Sequence, residues 1–115
     1  MPAKKTIKVE TVAEAYFSLL YARGIEHLFA NGGTDFAPVI EALAAINAKN
    51  TDPKLKVISV GHENVATSMA MSYYLHTGRP QTVMFHVNVG AANGIKVLID
   101  ASRERVPIIF TAGRT

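Results

Sequence analysis

The amino-acid sequence predicts an α/β fold, a three-layer α/β/α arrangement around one open sheet of four parallel strands. Two observations carry this prediction. Helical and strand patterns alternate four times along the 115 residues. The strand segments are short, continuous apolar runs, the pattern of strands that helices cover on both faces. The length allows one domain at most, and 49% hydrophobic against 18% charged residues favours a buried globular domain over a disordered chain.

The first helix is predicted from its two ends. Thr11-Val12-Ala13-Glu14 fits a capping box at a helix start, and Gly24 suits the C′ position that closes a helix. A strand from Ile25 to Phe29 should follow, and the glycines of Asn31-Gly32-Gly33 should end it. We assign residues 1–10 to an amino-terminal tail and 11–115 to the domain.

The later elements are predicted from the same signals. Pro38 is tolerated in a first helical turn, Gly78 and Pro80 close a helix, and Pro107 opens a strand. In chain order these elements are a helix from Asp35 to Asn47, a surface loop from Asn47 to Lys54, a strand from Lys56 to Val60, a helix from Glu63 to His76, a strand from Thr82 to Phe85, a glycine-containing turn from His86 to Gly90, a helix from Ala91 to Arg103 and a strand from Ile108 to Thr111. No helix follows to cover the last strand, so we expect a truncated piece of a longer protein rather than a small complete domain.

Composition excludes several function classes. The chain has no cysteine, so neither a disulfide framework nor a thiolate metal site can form. The net charge is +3, but the basic residues are scattered, which argues against nucleic-acid binding. There is no signal-peptide pattern and no apolar span of membrane length, so we expect a cytoplasmic protein without a membrane partner.

A ligand site is expected beyond the carboxyl ends of the strands, where open parallel sheets bind ligands. Four turns lie there: 31–34, 61–63, 86–90 and 112–114. None contains a GxGxxG or Walker pattern. The turn Asn31-Gly32-Gly33-Thr34 could bind an anion through its backbone N–H groups, or it could be a plain turn.

Glu63 has both a structural and a functional interpretation. It is not part of an HExxH zinc motif, because Ala66 occupies the position of the second histidine. A carboxylate in the first helical turn is favoured by the helix dipole, by less than about 1 kcal/mol. The small residues Ala66, Ser68, Ala70 and Ser72 would let another surface approach the same helix.

Together the motifs resemble those of thiamine-diphosphate-dependent enzymes, a family that includes acetolactate synthase, pyruvate oxidase and benzoylformate decarboxylase. Residues 61–66, with Ala70 and Tyr73, are similar to the family's HExxAxxxAxGYA signature. The flanking motifs occur in the family's order: Asn31-Gly32-Gly33, Thr77-Gly78-Arg79-Pro80, Val106-Pro107-Ile108-Ile109 and Ala112-Gly113. The resemblance implies the amino-terminal part of a pyrimidine-binding domain with a flavodoxin-like, thiamine-diphosphate-binding fold.

The resemblance also implies a cofactor and roles for residues. Glu63 would hydrogen-bond N1′ of the aminopyrimidine and stabilise its imino tautomer. His86 would be a second catalytic residue that acts as a proton shuttle. A structural role for His86 at the end of a strand is an equally weighted alternative. The cofactor-binding residues implied are Glu63, Gly32, Gly33 and Asn93, and the substrate-contacting residues are Thr34 and His86. No residue of this chain is expected to bind a metal.

The implied partners lie outside these residues. A second cofactor-binding domain of a partner subunit would hold Mg²⁺ and the diphosphate through a GDG…N motif, which this chain lacks. The resemblance therefore implies a homo-oligomer that acts on a 2-oxo acid, while the 115 residues alone would be inactive. The family's Ser-Gly-Pro-Gly turn after the third strand is replaced by His86–Gly90, and a histidine there is closer to benzoylformate decarboxylase. The family's Pro-Gly turn after the first strand is replaced by Gly32-Gly33. These departures leave decarboxylation, carboligation and oxidation open.

Two other functions remain compatible with the sequence. One is a small flavodoxin-like binding or regulatory domain without catalysis. A stop codon near Thr115 would favour this alternative, whereas a GDG…N motif downstream would favour the enzyme. The other is a family member that keeps the fold as a regulatory or structural subunit, against which the intact Glu63 argues.

Overall fold

The computed structural model describes residues 4, 6–49 and 55–114. Its strands are β1 (His27–Asn31), β2 (Lys56–Ser59), β3 (Gln81–Phe85) and β4 (Ile108–Ala112). Its helices are α1 (Val12–Ala22), α2 (Ala37–Lys49), α3 (Glu63–Thr77) and α4 (Val87–Arg103), with a 3-10 turn at Thr34–Phe36. None of the helices in these ranges is long and apolar enough to cross a membrane.

The predicted sheet of four parallel strands is confirmed. The strand order is β2-β1-β3-β4, and each neighbouring pair is parallel. In the centre, Phe29 of β1 aligns with Ile58 of β2 and with Val83 of β3, which in turn aligns with Phe110 of β4. All five residues of β3 are buried, as expected for a central strand with helices on both faces.

Alternate residues of the strands build two cores on opposite faces. One core joins Phe17 and Leu20 of α1 and Ala42 of α2 to Leu28 and Met84 of the sheet. The other core joins α3 to the sheet's other face through the buried residues Phe29, Ala66, Ala70, Val83 and Phe85. Two of the small residues of α3 therefore face the sheet, whereas Ser68 and Ser72 are exposed.

The predicted ends of α1 are confirmed. The hydroxyl of Thr11 accepts a hydrogen bond from the backbone N–H of Glu14 at 3.1 Å. At the other end Gly24 has a φ of +75°, and its N–H donates to the carbonyl of Tyr21. The next N–H, of Ile25, donates to the carbonyl of Leu20. This pair of bonds is the Schellman motif, which needs a left-handed residue that glycine supplies at least cost.

Several predicted boundaries are wrong. β1 begins at His27 rather than residue 25, because the buried Gln81 side chain accepts from the backbone N–H groups of Glu26 and His27, at 3.2 and 2.7 Å. A 3-10 turn precedes α2, and α2 continues to Lys49. The rest of the predicted 47–54 loop, residues 50–54, lies outside the described residues.

The predicted turn at His86–Gly90 is also wrong, because α4 already begins at Val87. His86 is the N-cap residue, and the N–H of Gly90 donates to its carbonyl at 2.8 Å. Val87 has a φ of +39°, a strained conformation for a β-branched residue. Gly90, the glycine that indicated a turn, lies inside the helix, where it permits close packing.

A polar cluster forms at the amino ends of β1 and β3. Gln81 is fully buried, and its Nε2 donates to the carbonyl of Pro80 at 2.7 Å. Beside it, the carboxylate of Glu26 accepts from the Tyr73 hydroxyl and from the Arg79 guanidinium. The Tyr73 hydrogen bond holds the pKa of Glu26 below its ordinary value of 4.5, and the same bond raises the pKa of Tyr73.

A second hydroxyl cluster ties α1 to the sheet. The Tyr16 hydroxyl lies 2.7 Å from Thr111 Oγ1 on β4 and 3.4 Å from Thr82 Oγ1 on β3. Thr82 also donates to the carbonyl of Ile109 at 3.0 Å. These bonds fix the helix at the junction of the two strands.

Candidate active site

The order of the strands places a crevice at the carboxyl ends of β1 and β3. The chain leaves β1 towards β2 on one side and leaves β3 towards β4 on the other. The two connections diverge, α2 packing on one face of the sheet and α4 beside α3 on the other. Such a topological switch point is where open α/β sheets bind their ligands.

Glu63 is the first residue of α3 and is only 7% exposed. Its Oε2 accepts a hydrogen bond from Asn93 Nδ2 of α4 at 3.2 Å and lies 3.9 Å from His62 Nδ1. His62 caps the same helix, since its Nδ1 accepts from the backbone N–H of Asn64 at 3.1 Å. The predicted residues Glu63 and Asn93 therefore lie together, where the first residue of α3 meets the second turn of α4.

Gly90 brings the backbone of α4 against Glu63. A Cβ atom at Gly90 would lie 3.2 Å from Glu63 Oε1 and 2.9 Å from the Cβ of Phe85. One turn later, a Cβ at Gly94 would lie 2.6 Å from Cε2 in the ring of Phe85. Helix α4 can approach the sheet this closely only because both positions lack a side chain.

A second polar pair lies between β1 and β3. His86 Nδ1 and Asp35 Oδ1 are 2.6 Å apart, with the side chains 39% and 17% exposed. The imidazole ring packs on Gly33, where a Cβ would lie 2.3 Å from Nδ1. Gly113, just after β4, covers Asp35, and a Cβ there would lie 1.8 Å from Oδ2.

The sequence-predicted residues fall into these two groups. Gly33 and His86 are in contact, as are Glu63 and Asn93. Gly32 packs instead against the ring of Phe36, and a Cβ at Gly32 would lie 2.8 Å from Cδ1 of that ring. Thr34 is exposed at the start of the 3-10 turn.

The sequence did not indicate Asp35 as a site residue, because its position suited the start of a helix. The available signal was its position just after the turn that follows β1, at the same edge of the sheet as His86, which follows β3. Within residues 4, 6–49 and 55–114, no group of three or more His, Asp or Glu side chains could hold a metal ion.

The comparison with known families identifies the chain. A model described as the thiamine pyrophosphate enzyme, N-terminal TPP binding domain, matches residues 10–115. The chain belongs to this family. The resemblance seen in the sequence is confirmed, and with it the thiamine-pyrophosphate-binding fold.

The relatives of this TPP-binding domain are enzymes. IlvX of Mycobacterium tuberculosis, named for the acetolactate synthase large subunit, is 34% identical over 101 residues, 88% of this chain and 18% of the relative. The benzoylformate decarboxylase of Pseudomonas aeruginosa is 28% identical over 106 residues, 92% of this chain and 19% of the relative. The structure of a thiamine diphosphate-dependent 4-hydroxybenzoylformate decarboxylase from Rhodococcus jostii RHA1 superimposes with a TM-score of 0.78 and 29% identity, over 90% of this chain and 18% of that one.

The chain thus spans about a fifth of the length of these relatives. Its residues fit the aminopyrimidine half of the family's cofactor. A carboxylate offers about four acceptor positions, and Asn93 occupies one of those of Glu63. Glu63 Oε1 lies close to the backbone of Gly90, because a Cβ at that position would be only 3.2 Å from it. A mostly buried carboxylate that has acceptor positions beyond the one used by Asn93 suits a ring nitrogen that donates a hydrogen bond.

Proposed function

We propose that this TPP-binding domain activates the aminopyrimidine of thiamine diphosphate in a 2-oxo acid decarboxylase or carboligase, with Glu63 as the activating residue. The nearly buried carboxylate of Glu63, held by Asn93 and facing the bare backbone of Gly90, is the observation that carries this proposal. The relatives named as acetolactate synthase and benzoylformate decarboxylase support the substrate class.

Glu63 acts by holding a proton at N1′ of the aminopyrimidine ring. Asn93 fixes one oxygen of the carboxylate, so the other oxygen is directed at a single position. Because the site is mostly buried, water competes poorly for that oxygen, and the hydrogen bond is stronger than it would be in bulk solvent. When bound, the cofactor supplies the electron sink that decarboxylation of a 2-oxo acid requires.

His86 and Thr34 are the proposed contacts for the substrate. His86 lies at the carboxyl end of the central strand β3 and its ring is 39% exposed, so a ligand in the crevice can reach it. An imidazole can give or take a proton near neutral pH, which suits the protonation step that follows loss of carbon dioxide. Thr34 is exposed at the neighbouring strand end and offers a hydroxyl to a carboxylate. Gly32 and Gly33 are proposed to let the cofactor approach the β1 end.

The diphosphate and Mg²⁺ are proposed to be held by a second domain of a partner subunit in a homo-oligomer. Support comes from the greater length of the relatives and from an apolar surface on the α3–α4 layer. Its exposed large apolar residues are Val65, Met69, Leu75, Val89, Ile95 and Ile99. A surface of this kind is typical of protein–protein contacts. The cytoplasmic location expected from the sequence stays a prediction.

The test is Glu63→Gln in the complete enzyme, with hydrogen–deuterium exchange at C2 of the bound cofactor as the measurement. Gln is nearly isosteric but cannot take up the N1′ proton, so exchange should slow by about 10²–10⁴-fold. Glu41→Gln, on an exposed position of α2, is the matched control and should exchange normally. Turnover of pyruvate and benzoylformate would be followed in parallel.

Two results would contradict the proposal. One is normal C2 exchange in a folded, cofactor-loaded Glu63→Gln enzyme. In that case Glu63 would only stabilise the start of α3, with a loss below about 1 kcal/mol in the free energy of unfolding. The other is a cofactor-loaded wild-type enzyme that turns over neither 2-oxo acid.

A further inference from the structure

Asp35 and His86 come from two different strand ends and meet at the topological switch point. Asp35 lies in the 3-10 turn after β1, and His86 is the first residue after β3. Because β1 and β3 are adjacent and parallel, with Asn31 aligned to Phe85, the two side chains reach each other. Their 2.6 Å contact joins Oδ1 of the carboxylate to Nδ1 of the imidazole.

This contact determines where the imidazole proton lies. An ionised carboxylate can only accept hydrogen bonds, so Nδ1 of His86 must carry the hydrogen. In the neutral ring the other nitrogen, Nε2, then has the free electron pair. With Nδ1 bound to Asp35, Nε2 is the nitrogen of this partly exposed ring that remains for a ligand in the crevice.

Two other histidines of the chain provide references for the two tautomers, since Nδ1 accepts a hydrogen bond in one and donates in the other. His62 Nδ1 accepts from the backbone N–H of Asn64, so the neutral ring of His62 must carry its hydrogen on Nε2. His76 Nδ1 lies 2.8 Å from the carbonyl oxygen of Ser72, an acceptor, so its hydrogen is on Nδ1. The hydrogen-bond partners therefore favour Nε2–H for His62 and Nδ1–H for His76 and His86.

The surroundings hold the pair in one arrangement. Gly33 and Gly113 lie against the imidazole and the carboxylate so closely that neither position has room for a Cβ. Oδ2 of Asp35 is buried and has no hydrogen-bond partner among the described residues. A buried oxygen without a partner costs about 1–3 kcal/mol, so stability alone would favour a different residue here.

We propose that Asp35 is the positioning residue of the site, fixing His86 as the Nδ1–H tautomer so that Nε2 faces the substrate as the proton-exchanging atom. The role of Nε2 rests on the proposed function, whereas the tautomer does not. Asp35 touches neither cofactor nor substrate in this scheme and acts through His86 alone. An uncharged or missing side chain at position 35 would leave the ring free to exchange tautomers and to rotate.

The test is nitrogen NMR on the chain labelled with ¹⁵N in its four histidine rings, at a pH where titration shows each ring to be neutral. We expect His86 and His76 as Nδ1–H and His62 as Nε2–H, each assigned by a single His→Gln variant. In Asp35→Asn, whose amide can donate as well as accept, His86 should become a tautomer mixture. Asp100→Asn, an exposed aspartate on α4, is the matched control and should leave the His86 signals unchanged.

The wild-type spectrum is decisive even if a variant fails to fold. A wild-type His86 carrying its hydrogen on Nε2 would overturn the proposal, and so would a folded Asp35→Asn protein with the wild-type tautomer. In the complete enzyme, Asp35→Asn should lower kcat by about 10²-fold or more while C2 exchange, which depends on Glu63, stays normal. An unchanged kcat would overturn the positioning role. Loss of the Glu63 effect with an intact His86 tautomer would refute the proposed function and support the Asp35 assignment.

Discussion

Replacing Gly90 by alanine tests whether the bare backbone of α4 is needed beside Glu63. The added Cβ would lie 2.9 Å from Cβ of Phe85 and 3.2 Å from Glu63 Oε1. Ordinary contact begins near 3.4 Å, so one side must move by about half an ångström. Phe85 is fully buried in the central strand, which leaves the helix start and the carboxylate as the parts that move.

The expected magnitudes separate stability from function. Alanine gains about 1 kcal/mol over glycine inside a helix, whereas overpacking a tight site costs about 1–3 kcal/mol. The free energy of unfolding should therefore fall by only about 0–2 kcal/mol. Because a displacement of 1 Å at a catalytic group can cost about 10²-fold in rate, half that displacement should lower kcat/KM by about 10-fold.

Gly61→Ala is the matched control, since it makes the same substitution two residues before Glu63. A Cβ there meets nothing within 4 Å, so the variant should be neutral or stabilised by about 0.4–1 kcal/mol and fully active. Urea unfolding and steady-state kinetics of the complete enzyme measure both quantities. Full activity in Gly90→Ala, or an equal loss in Gly61→Ala, would refute the role assigned to the close approach.

Three further predictions concern the polar clusters of the fold. Tyr16→Phe should lower the free energy of unfolding by about 1 kcal/mol, because it removes the hydroxyl bound to Thr111, and an unchanged urea midpoint would contradict this. Gln81→Leu should lower the free energy of unfolding by about 3 kcal/mol or more, because the backbone groups bound to the buried Gln81 side chain lose their partner. A loss below about 1 kcal/mol in urea unfolding would show that water replaces the Gln81 side chain. Because the Tyr73 hydrogen bond lowers the pKa of Glu26, that carboxylate stabilises the fold above its ordinary pKa of 4.5, and the contribution is lost as the pH falls through the lowered value. In Glu26→Gln, the free energy of unfolding should therefore depend less on pH in the acid range, as unfolding measured over a pH series would show. The same pH dependence in the variant and the wild type would contradict this role of Glu26.

The elements of the fold were predictable where a local signal decides them. The capping box at Thr11 and the left-handed glycines at 24 and 78 each have a fixed local geometry, and each was placed correctly. The start of β1 was misplaced because it depends on Gln81, which is distant in sequence and supplies the hydrogen-bond acceptor. The start of α4 was misplaced because Gly90, which was predicted to be part of a turn, instead lies inside the helix and packs against Phe85.

The same distinction between local and tertiary signals explains what was found of the site. Glu63 was proposed from a motif that is contiguous along α3, and Asn93 and His86 were proposed from the resemblance. Their roles in the site stay predictions. The pairing of Asp35 with His86 depends on the strand order β2-β1-β3-β4, which places the ends of β1 and β3 side by side. The two residues are 51 positions apart in the sequence, so no local sequence pattern can predict their contact.

The strand order also relates the two polar groups to one another. Glu63 follows the edge strand β2, yet its carboxylate is held by α4, which follows the central strand β3. This is possible because α3 crosses over β1 to return to β3 and packs beside α4 on the same face. The carbonyl of His86 accepts from Gly90, and Gly90 in turn touches Glu63, so one helical turn joins the two groups. The segment 86–90 therefore connects the proposed cofactor contact with the proposed substrate contact. A substitution at Val87, whose φ of +39° is strained, should affect both contacts at once.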